Sequence, residues 1–424
     1  MSRISVEKAF KRVQDVEKIS RKDLKSMKLR TSVEQDGRDM MFIFHDDNNI
    51  IFTPADDELS PVLGKCTKAS GDMPPALINW LSTYSEEIKW FQEGGKEKLL
   101  AAESNIEPEG GTGEAGDQLE GEVNGVAPLT TSTWGQRWPF NKYCKFDGAY
   151  SKTGCPAIAV GQLMYYWAKK GYRRGCVATE EYTSEKGKYT YKIGAVGNYT
   201  YFDYKNIIDG TPVSTANIEA VAKLLRSVGR AMKTNYSPNG SSADMRNIKD
   251  SLIKSFKLTG TYAEYLQSSI GETEFRNKII EDLKKGWPVL MYGANAQKDA
   301  TGAHIFICDG WDATTNKFRM NWGWFGDYNG WYDLTALSKY KADGSRIFEL
   351  SFQRRIITKV HPSYYLGDVN NDGRINISDL TSIINTKISG QYNGRADINN
   401  DGVVDSADIE RENEIILNKD IFDE

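Results

Sequence analysis

The chain has 424 residues, more than a single hydrophobic core accommodates, so we expect two or three domains. Its 54 basic and 58 acidic residues give a formal net charge of −4, and the sequence shows no basic patch of the kind that binds nucleic acid or a membrane surface. No apolar run approaches the roughly 18 residues of a membrane span. Proteins or peptides are therefore the expected partners.

The first 131 residues predict a folded unit followed by a linker. Residues 1–92 alternate helical stretches with short β-like runs and end on the helical spacing of PPALINWLSTYSEEIKWF, which predicts a compact α+β unit. Residues 93–131 are rich in Gly, Glu and small residues and contain no aromatic side chain. Such a composition cannot bury enough apolar surface to fold alone, so we expect an exposed, cleavable linker.

Residues 132–360 divide into two halves of different periodicity. The segment CPAIAVGQLMYYWAKKG, which begins at Cys155, is apolar nearly all round and predicts a central buried helix. Further helices are predicted over residues 218–232 and 245–256. From residue 286 onward, short aromatic and β-branched runs alternate with Gly and Asn, which predicts antiparallel strands joined by hairpins. The predicted fold class is α+β.

A nucleophilic thiol is the first candidate for chemistry. The start of a helix lowers the pKa of a thiol, because the unpaired N–H groups and the helix dipole favour the anion, and Cys155 lies at such a start. Gly154 permits a tight entry turn, and Pro156 suits the first helical turn. The alternative is an inert buried cysteine at a helix end.

Histidine positions favour the reactive interpretation. Of the three histidines, His45, His304 and His361, only His304 lies within the aromatic-rich segment, and a thiol protease needs a histidine as general base and acid. Asn321, on the next predicted strand, could accept the other imidazole N–H, and Trp322 would shield that contact from water. Taken singly, His304 and Asn321 are more simply a strand residue and a turn residue.

Gln136 completes the candidate set. It lies nineteen residues before Cys155, and its side-chain amide, placed near the Cys155 N–H, would form an oxyanion hole. By itself a glutamine is a weak signal. Since the set contains a thiol, an imidazole and two amides, hydrolysis is predicted to need no cofactor.

The order and approximate spacing of WGQRWPFN, TGCPAIAVGQLMYYW, NYSPNGSSAD, GAHIFICDGW and MNWGWFG resemble those of the streptopain family of papain-like cysteine peptidases. The resemblance extends to about residue 358. It implies Cys155 as nucleophile, His304 as base, Gln136 as oxyanion donor, and Asn321 with Trp322 as the residues that orient the ring.

The same resemblance implies a papain-like fold with a helical half and a sheet half, and an inhibitory propeptide over residues 1–92. It also implies a secreted product and a signal peptide ahead of this chain. Two departures put fine geometry in question. Pro156 stands where the family usually has a small β-branched residue, and GAHIF stands in place of GGHAF.

Two twelve-residue loops lie twenty-nine positions apart within residues 365–424. Each has side-chain oxygens at positions one, three, five, nine and twelve, Gly at six and a backbone carbonyl at seven, an arrangement that binds Ca²⁺. Two calcium sites are therefore predicted. Their ligands would be Asp368, Asn370, Asp372, Arg374 (carbonyl), Asn376 and Asp379 in the first loop, and Asp397, Asn399, Asp401, Val403 (carbonyl), Asp405 and Asp408 in the second.

Asp at position twelve, and a helix only after each loop, resemble a small helical dockerin module more than a full EF-hand. The resemblance implies docking to a cohesin-type protein or attachment at a cell surface. The positions that would choose the partner are Ile377, Ser378, Ser406 and Ala407.

The sequence therefore predicts a secreted cysteine endopeptidase zymogen with a calcium-dependent docking module. Two other functions stay open: acyl transfer to an amine by the same residues, as in transglutaminase-like proteins, and a catalytically silent adhesion or scaffold protein. Cys308 is predicted to be a buried hydrophobe. Whether Cys144 and Cys176 form a disulfide is left open by the sequence.

Overall fold

The computed structural model describes residues 3–17, 28–67, 72–99, 125–259, 264–295, 303–337, 352–362, 367–370, 375–393, 395–399 and 403–419. These residues belong to two compact units, Met1–Leu129 with Ala263–Thr358, and Thr130–Tyr262 with Lys359–Glu424. Within the described ranges, no helix combines the length and apolar character needed to cross a membrane.

The helices are α1 (Val6–Glu17), α2 (Pro75–Trp90), α3 (Cys155–Lys169), α4 (Thr215–Ala231), α5 (Met245–Asp250), α6 (Gln267–Lys284, broken at Gly271), α7 (Ile377–Ser389) and α8 (Ser406–Lys419). The first unit contains strands β1 (Lys28–Gln35), β2 (Arg38–His45), β3 (Asn49–Pro54), β4 (Gly64–Thr67), β10 (Glu264–Leu266), β11 (Val289–Asn295), β12 (His304–Asp312), β13 (Lys317–Asn321), β14 (Gly330–Tyr332) and β15 (Phe352–Ile357). The second contains β5 (Lys145–Phe146), β6 (Ala149–Tyr150), β7 (Tyr182–Lys186), β8 (Tyr189–Ile193), β9 (Leu258–Thr259) and β16 (His361–Pro362).

One antiparallel sheet organises the first unit. Among the described residues it has ten strands in the order β1-β2-β3-β4-β14-β13-β12-β11-β15-β10. The predicted propeptide supplies β1 to β4 and the predicted catalytic segment supplies the others, and the two groups meet where β4 pairs with β14. Glycines permit this close approach, because a Cβ on Gly330 would lie 2.2 Å from the Lys65 carbonyl oxygen and one on Gly64 would lie 2.8 Å from the Tyr332 ring.

Helix α2 packs its apolar face on this sheet. Trp80 is fully buried, and its ring meets those of Phe306 and Trp322 edge-on at centroid distances of 6.1 and 5.9 Å. The Trp80 N–H donates to the Tyr84 hydroxyl, which in turn donates to the Asp333 carbonyl oxygen. The core of the first unit therefore contains side chains from both the predicted propeptide and the predicted catalytic segment.

The chain after α2 differs from the expected linker over its first residues. A π-helical turn, Phe91–Gly95, continues α2, and residues 96–99 are helical. Phe91 and Leu99 are buried in the core, and their burial stabilises this extension. Residues 100–124, most of the predicted linker, lie outside the described residues.

The second unit has α3 at its centre. Every residue of α3 from Pro156 to Ala168 is buried, as the apolar sequence predicts, and α4 packs beside it. Helices α7 and α8, which follow the two acidic loops, pack on each other through residues that include Ile383 and Ile415. The α+β prediction is confirmed, with a helical half, an antiparallel sheet half and two helices near the C-terminus.

Candidate active site

Cys155 is the first residue of α3, as the sequence predicts. The preceding Gly154 has φ 92° and ψ 142°, a left-handed conformation that favours glycine, and Pro156 occupies the first turn. A Cβ on Gly154 would lie 3.2 Å from the Ser241 carbonyl oxygen. The thiol is partly exposed, whereas the rest of α3 up to Ala168 is buried. Cys155 therefore stands at the helix start where N–H groups favour an anion.

Lys152 is a cation near Cys155 that the sequence did not predict as part of the site. Burial and the charge of Arg137 lower the pKa of Lys152, whereas the negative charge of the Cys155 thiolate acts to raise it. Lys152 is positioned by donating to the Asn239 carbonyl oxygen at 2.9 Å. A positive charge nearby favours the thiolate, so Lys152 supports a reactive cysteine. In the sequence, the position of Lys152 three residues before Cys155 could have indicated this interaction.

Gln136 is tied to the turn that precedes α3. Its carbonyl oxygen accepts the Thr153 N–H at 3.1 Å, two residues before Cys155. The Gln136 side chain is half-buried. This backbone bond places Gln136 beside the cysteine turn, while the oxyanion role of its amide stays a prediction.

His304 opens strand β12 and is 5 % exposed. Its Nε2 lies 2.7 Å from the Trp322 carbonyl oxygen. Since a carbonyl oxygen only accepts, we assign the ring hydrogen to Nε2, which leaves the lone pair on Nδ1. Burial lowers the pKa of His304 to about 4, so the imidazole is neutral at neutral pH and Nδ1 is the atom that can take a proton.

Aromatic rings enclose the imidazole. The ring of Trp324 stacks on His304 at a centroid distance of 4.6 Å, closer than Phe306 at 5.9 Å and Trp322 at 6.3 Å. Trp322 and Trp324 are themselves parallel at 5.1 Å. Trp324 is therefore the nearest aromatic neighbour of His304 among the described residues. In the sequence, its position two residues after Trp322 in the WGW motif could have indicated this role.

Asn321 ends strand β13 and is fully buried. Its side-chain oxygen accepts from the Gly323 N–H and from the Asn329 amide, both at 3.3 Å. Asn329 also accepts the Trp322 N–H at 2.9 Å. Among the described residues, the one hydrogen bond of the His304 ring goes to the Trp322 carbonyl rather than to Asn321. The orienting role of Asn321 stays a prediction, and Asn329 is a further residue that positions this turn.

The two acidic loops fold in matching ways. Asp379 accepts from the N–H groups of Val369 at 2.8 Å and Asn370 at 3.1 Å through one carboxylate oxygen, and from Asn376 at 2.9 Å through the other. In the second loop Asp408 accepts from Asn399 at 3.1 Å and Asp405 at 2.8 Å. The last acidic residue of each loop therefore closes it. Three predicted ligands, Asp372, Arg374 and Asp401, lie outside the described residues.

The first and last carboxylates of each loop are buried, which suits a cation. Asp368, Asp379, Asp397 and Asp408 are at most 4 % exposed, and burial raises the pKa of Asp408. Clustered buried carboxylates are costly unless a cation neutralises them, and all-oxygen ligands suit Ca²⁺. Over the described ranges, which omit a central ligand of each loop, no three His, Cys, Asp or Glu side chains converge on a common point. The residues present therefore fit calcium as parts of larger ligand sets.

Three other cysteines, Cys144, Cys176 and Cys308, are buried and form no disulfide. Cys144 and Cys176 are both buried and unpaired with each other, and burial raises their pKa values to about 11 and about 12. Cys308 is fully buried, and burial raises its pKa well above the ordinary value. These thiols are unreactive compared with the partly exposed Cys155.

Comparisons with known proteins match two parts of this chain to families. The sequence model of the Peptidase C10 family matches residues 134–332, and that of the dockerin type I domain matches residues 366–415. The thiol protease/hemagglutinin PrtT of Porphyromonas gingivalis is 26 % identical over 311 residues, which are 70 % of this chain and 34 % of that protein. Streptopain of Streptococcus pyogenes is 25 % identical over 197 residues, which are 46 % of this chain and 48 % of streptopain.

The chain thus spans about a third to a half of the length of these curated relatives. A fragment of prointerpain A from Prevotella intermedia has a similar structure, with a TM-score of 0.56 and 23 % identity, over 80 % of this chain and 99 % of the fragment. That likeness shows the fold. Residues 134–332 therefore form a domain of the peptidase C10 family, the streptopain family, and residues 366–415 form a dockerin type I domain.

Proposed function

We propose that the chain is the zymogen of a secreted cysteine endopeptidase. Cys155 carries the proposal, because it lies at the start of a buried helix, near the Lys152 cation, within the residues that match the Peptidase C10 family. Two of the relatives are themselves named as a thiol protease and streptopain. The same likeness and the dockerin domain support secretion as part of the proposal.

The proposed reaction uses groups of the protein and one water molecule. The Cys155 thiolate attacks a peptide carbonyl carbon, and the Gln136 amide with the Cys155 N–H stabilises the oxyanion that forms. His304 takes the thiol proton on Nδ1 and gives it to the departing amine. Water then attacks the acyl-enzyme, His304 removes a proton from it, and the carboxylic acid leaves as the thiol is restored. Asn321 and Trp322 orient the ring.

We propose that residues 1–92 keep the enzyme latent. Trp80 and Tyr84 pack behind Trp322 and Asp333, and β4 extends the sheet that contains His304. Burial holds His304 in its neutral form, whereas a thiolate–imidazolium pair needs the charged ring. Cleavage within residues 93–131 would allow the propeptide to leave, and the His304 ring could then turn toward Asn321.

The proposed second function is calcium-dependent docking to a cohesin-type protein. Each of the two acidic loops would hold one Ca²⁺, which supplies the positive charge that clusters the carboxylates. Ile377 is 67 % exposed and Ser378, Ser406 and Ala407 are exposed, so all four positions are accessible to a partner. The proposed domains are the propeptide (1–92), the linker (93–131), the catalytic domain (132–360) and the calcium-binding module (365–424).

The experiment is casein hydrolysis and self-processing by the full chain and by Cys155→Ala. We expect the variant to keep its fold and lose both activities, because it lacks the nucleophile. Near wild-type hydrolysis by the variant would refute the mechanism. Processing of the variant at the same sites, without added protease, would refute self-cleavage. Full activity of the uncut chain would refute latency.

The same assay separates the two rival functions. A transglutaminase-like enzyme would incorporate a fluorescent amine into casein, and a silent scaffold would show neither reaction nor labelling of Cys155 by an epoxysuccinyl inhibitor. In addition, Gln136→Ala should lower kcat by about 10²–10³-fold, because one oxyanion donor is lost. An unchanged kcat would mean that another group stabilises the oxyanion.

A further inference from the structure

Glu412 is a buried carboxylate that has no role in the proposed function. It lies on α8, after the second acidic loop, and is 0 % exposed. Neither of its carboxylate oxygens has a hydrogen-bond partner among the described residues. The adjacent Arg411 pairs with Glu414 and lies over the Tyr201 ring at 4.8 Å. Burial raises the pKa of Glu412, and the charge of Arg411 offsets only part of that rise.

The carboxylate of Glu412 abuts the beginning of the first loop rather than the second. A Cβ on Gly367 would lie 3.0 Å from Oε2 and 3.2 Å from Oε1 of Glu412, and 3.0 Å from Ile375. Gly367 directly precedes Asp368, the first ligand position of the first loop. Glu412 also experiences the negative charges of Asp379 and Asp368, which close and open that loop.

The two repeats differ at this position. Glu412 lies fifteen residues after Asp397, and the residue fifteen after Asp368 is Ile383. Both side chains are fully buried. An apolar residue suffices in the first repeat, so packing between the helices does not require an acid in the second. The acid is an addition specific to the second repeat, and it faces the first loop.

An unpaired carboxylate is costly to bury, and two neighbouring carboxylates increase the cost. Charged groups in protein interiors are paired or neutralised by a metal ion. Among the described residues, no cationic side chain bonds to Glu412. Without a partner a buried carboxyl takes up a proton, whereas a cation from solution would hold all three acids in their charged form. The first loop is where the proposed function already places one.

We propose that Glu412 belongs to the outer shell of the first calcium site, where it accepts hydrogen bonds from water bound to the ion and so ties α8 to the first loop. This rests on the proposed binding of calcium. The assignment is to the outer shell because the Glu412 carboxylate lies against Gly367, just before the first ligand position, and Glu412 itself is none of the ligand positions of the loop. One ion would then hold both repeats together.

Calcium binding to the full chain tests the proposal, with Cys155→Ala present to prevent self-cleavage. Asp397→Ala disables the second loop, and in that background Glu412→Gln should weaken calorimetric calcium affinity by about tenfold or more, as the loss of an outer-shell partner does. Asp368→Ala disables the first loop instead. In that background Glu412→Gln should leave the affinity unchanged.

The matched control is Glu410→Gln, the same change at an exposed position on α8. It should leave both affinities unchanged. In a chelator, Glu412→Gln should melt at the same temperature as the parent chain or higher, because an unpartnered buried charge is removed, and calcium should raise its Tm less. This combination distinguishes an outer-shell role from a packing role, which would lower Tm in both buffers.

Unchanged first-loop affinity in Glu412→Gln would overturn the inference, and so would an equal loss at both loops. If that variant fails to fold, Glu412→Asp keeps the charge on a shorter side chain and should also weaken the first loop selectively; unchanged affinity would again overturn the inference. Absence of any calcium binding by the parent chain would instead refute the proposed calcium function.

Discussion

Two buried glutamates, Glu87 and Glu412, show how differently the two units treat a carboxylate. Burial raises the pKa of each to about 8. Glu87, on α2, accepts the Ala336 N–H and experiences the attractive charge of the buried Arg354, so protein groups satisfy it. Glu412 has no such donor among the described residues. Groups of the first unit therefore satisfy Glu87, whereas Glu412 is proposed to depend on an ion from solution.

The largest expected effect is a loss of core packing in the first unit. Trp80→Ala in the full chain with Cys155→Ala should reduce the stability of the first unit by about 3–5 kcal/mol, because it removes a fully buried aromatic side chain. The loss should be equal in calcium and in chelator. Urea unfolding followed by tryptophan fluorescence measures it. Ile78→Ala, 49 % exposed on the same helix, is the control, and an equal loss there would contradict the assignment.

Removal of calcium tests whether the two terminal helices depend on an ion. Binding to the folded state stabilises by RT ln(1 + [L]/Kd), about 2.7 kcal/mol for each site at a hundredfold excess of calcium over Kd. In a chelator, hydrogen exchange should therefore speed up in α7 and α8 and stay unchanged in β12. Hydrolysis by the processed enzyme should also persist in chelator. Equal exchange of α7 and α8 in both buffers would contradict calcium binding.

The pH dependence of Glu87 sharpens the contrast. Its folded pKa is raised, so its contribution to stability is fully present below pH 4.5 and is lost as pH rises through about 8. Glu87→Gln should match the parent chain near pH 4.5 and exceed it by about 1–3 kcal/mol at pH 9. Urea midpoints at both values measure this. Glu86→Gln, a neighbouring position on α2, should keep the parent slope, and the same slope in Glu87→Gln would contradict the argument.

The smallest effect concerns His304. Its folded pKa of about 4 lies below the ordinary 6.5, so its contribution to stability is present above pH 6.5 and is lost as pH falls through 4. We expect about 1–2 kcal/mol, because local relaxation reduces the full difference. His304→Gln should remove this acid-side loss in unfolding experiments, whereas His45→Gln should retain it. A retained loss in His304→Gln would place the responsible proton elsewhere.

Local patterns were sufficient for much of the fold. The all-round apolar segment after Cys155 predicted α3, and alternating aromatic runs predicted β11 to β14. The two acidic loops were found because their ligand spacing lies within twelve residues each. The shared sheet was not predicted, because pairing of β4 with β14 joins segments more than 250 residues apart and many strands have the same pattern.

The sequence alone indicated the candidate catalytic and calcium-binding residues and the approximate positions of the helices and strands. Both can be recognised from residues that lie close together along the chain. Only the tertiary structure decided that Trp324 stacks on His304, that Asn329 supports Asn321, and that Glu412 faces the loop of the other repeat. These contacts depend on how distant segments pack. Burial sets the free-energy cost of each unpaired charge. It results from this packing and cannot be read from the sequence.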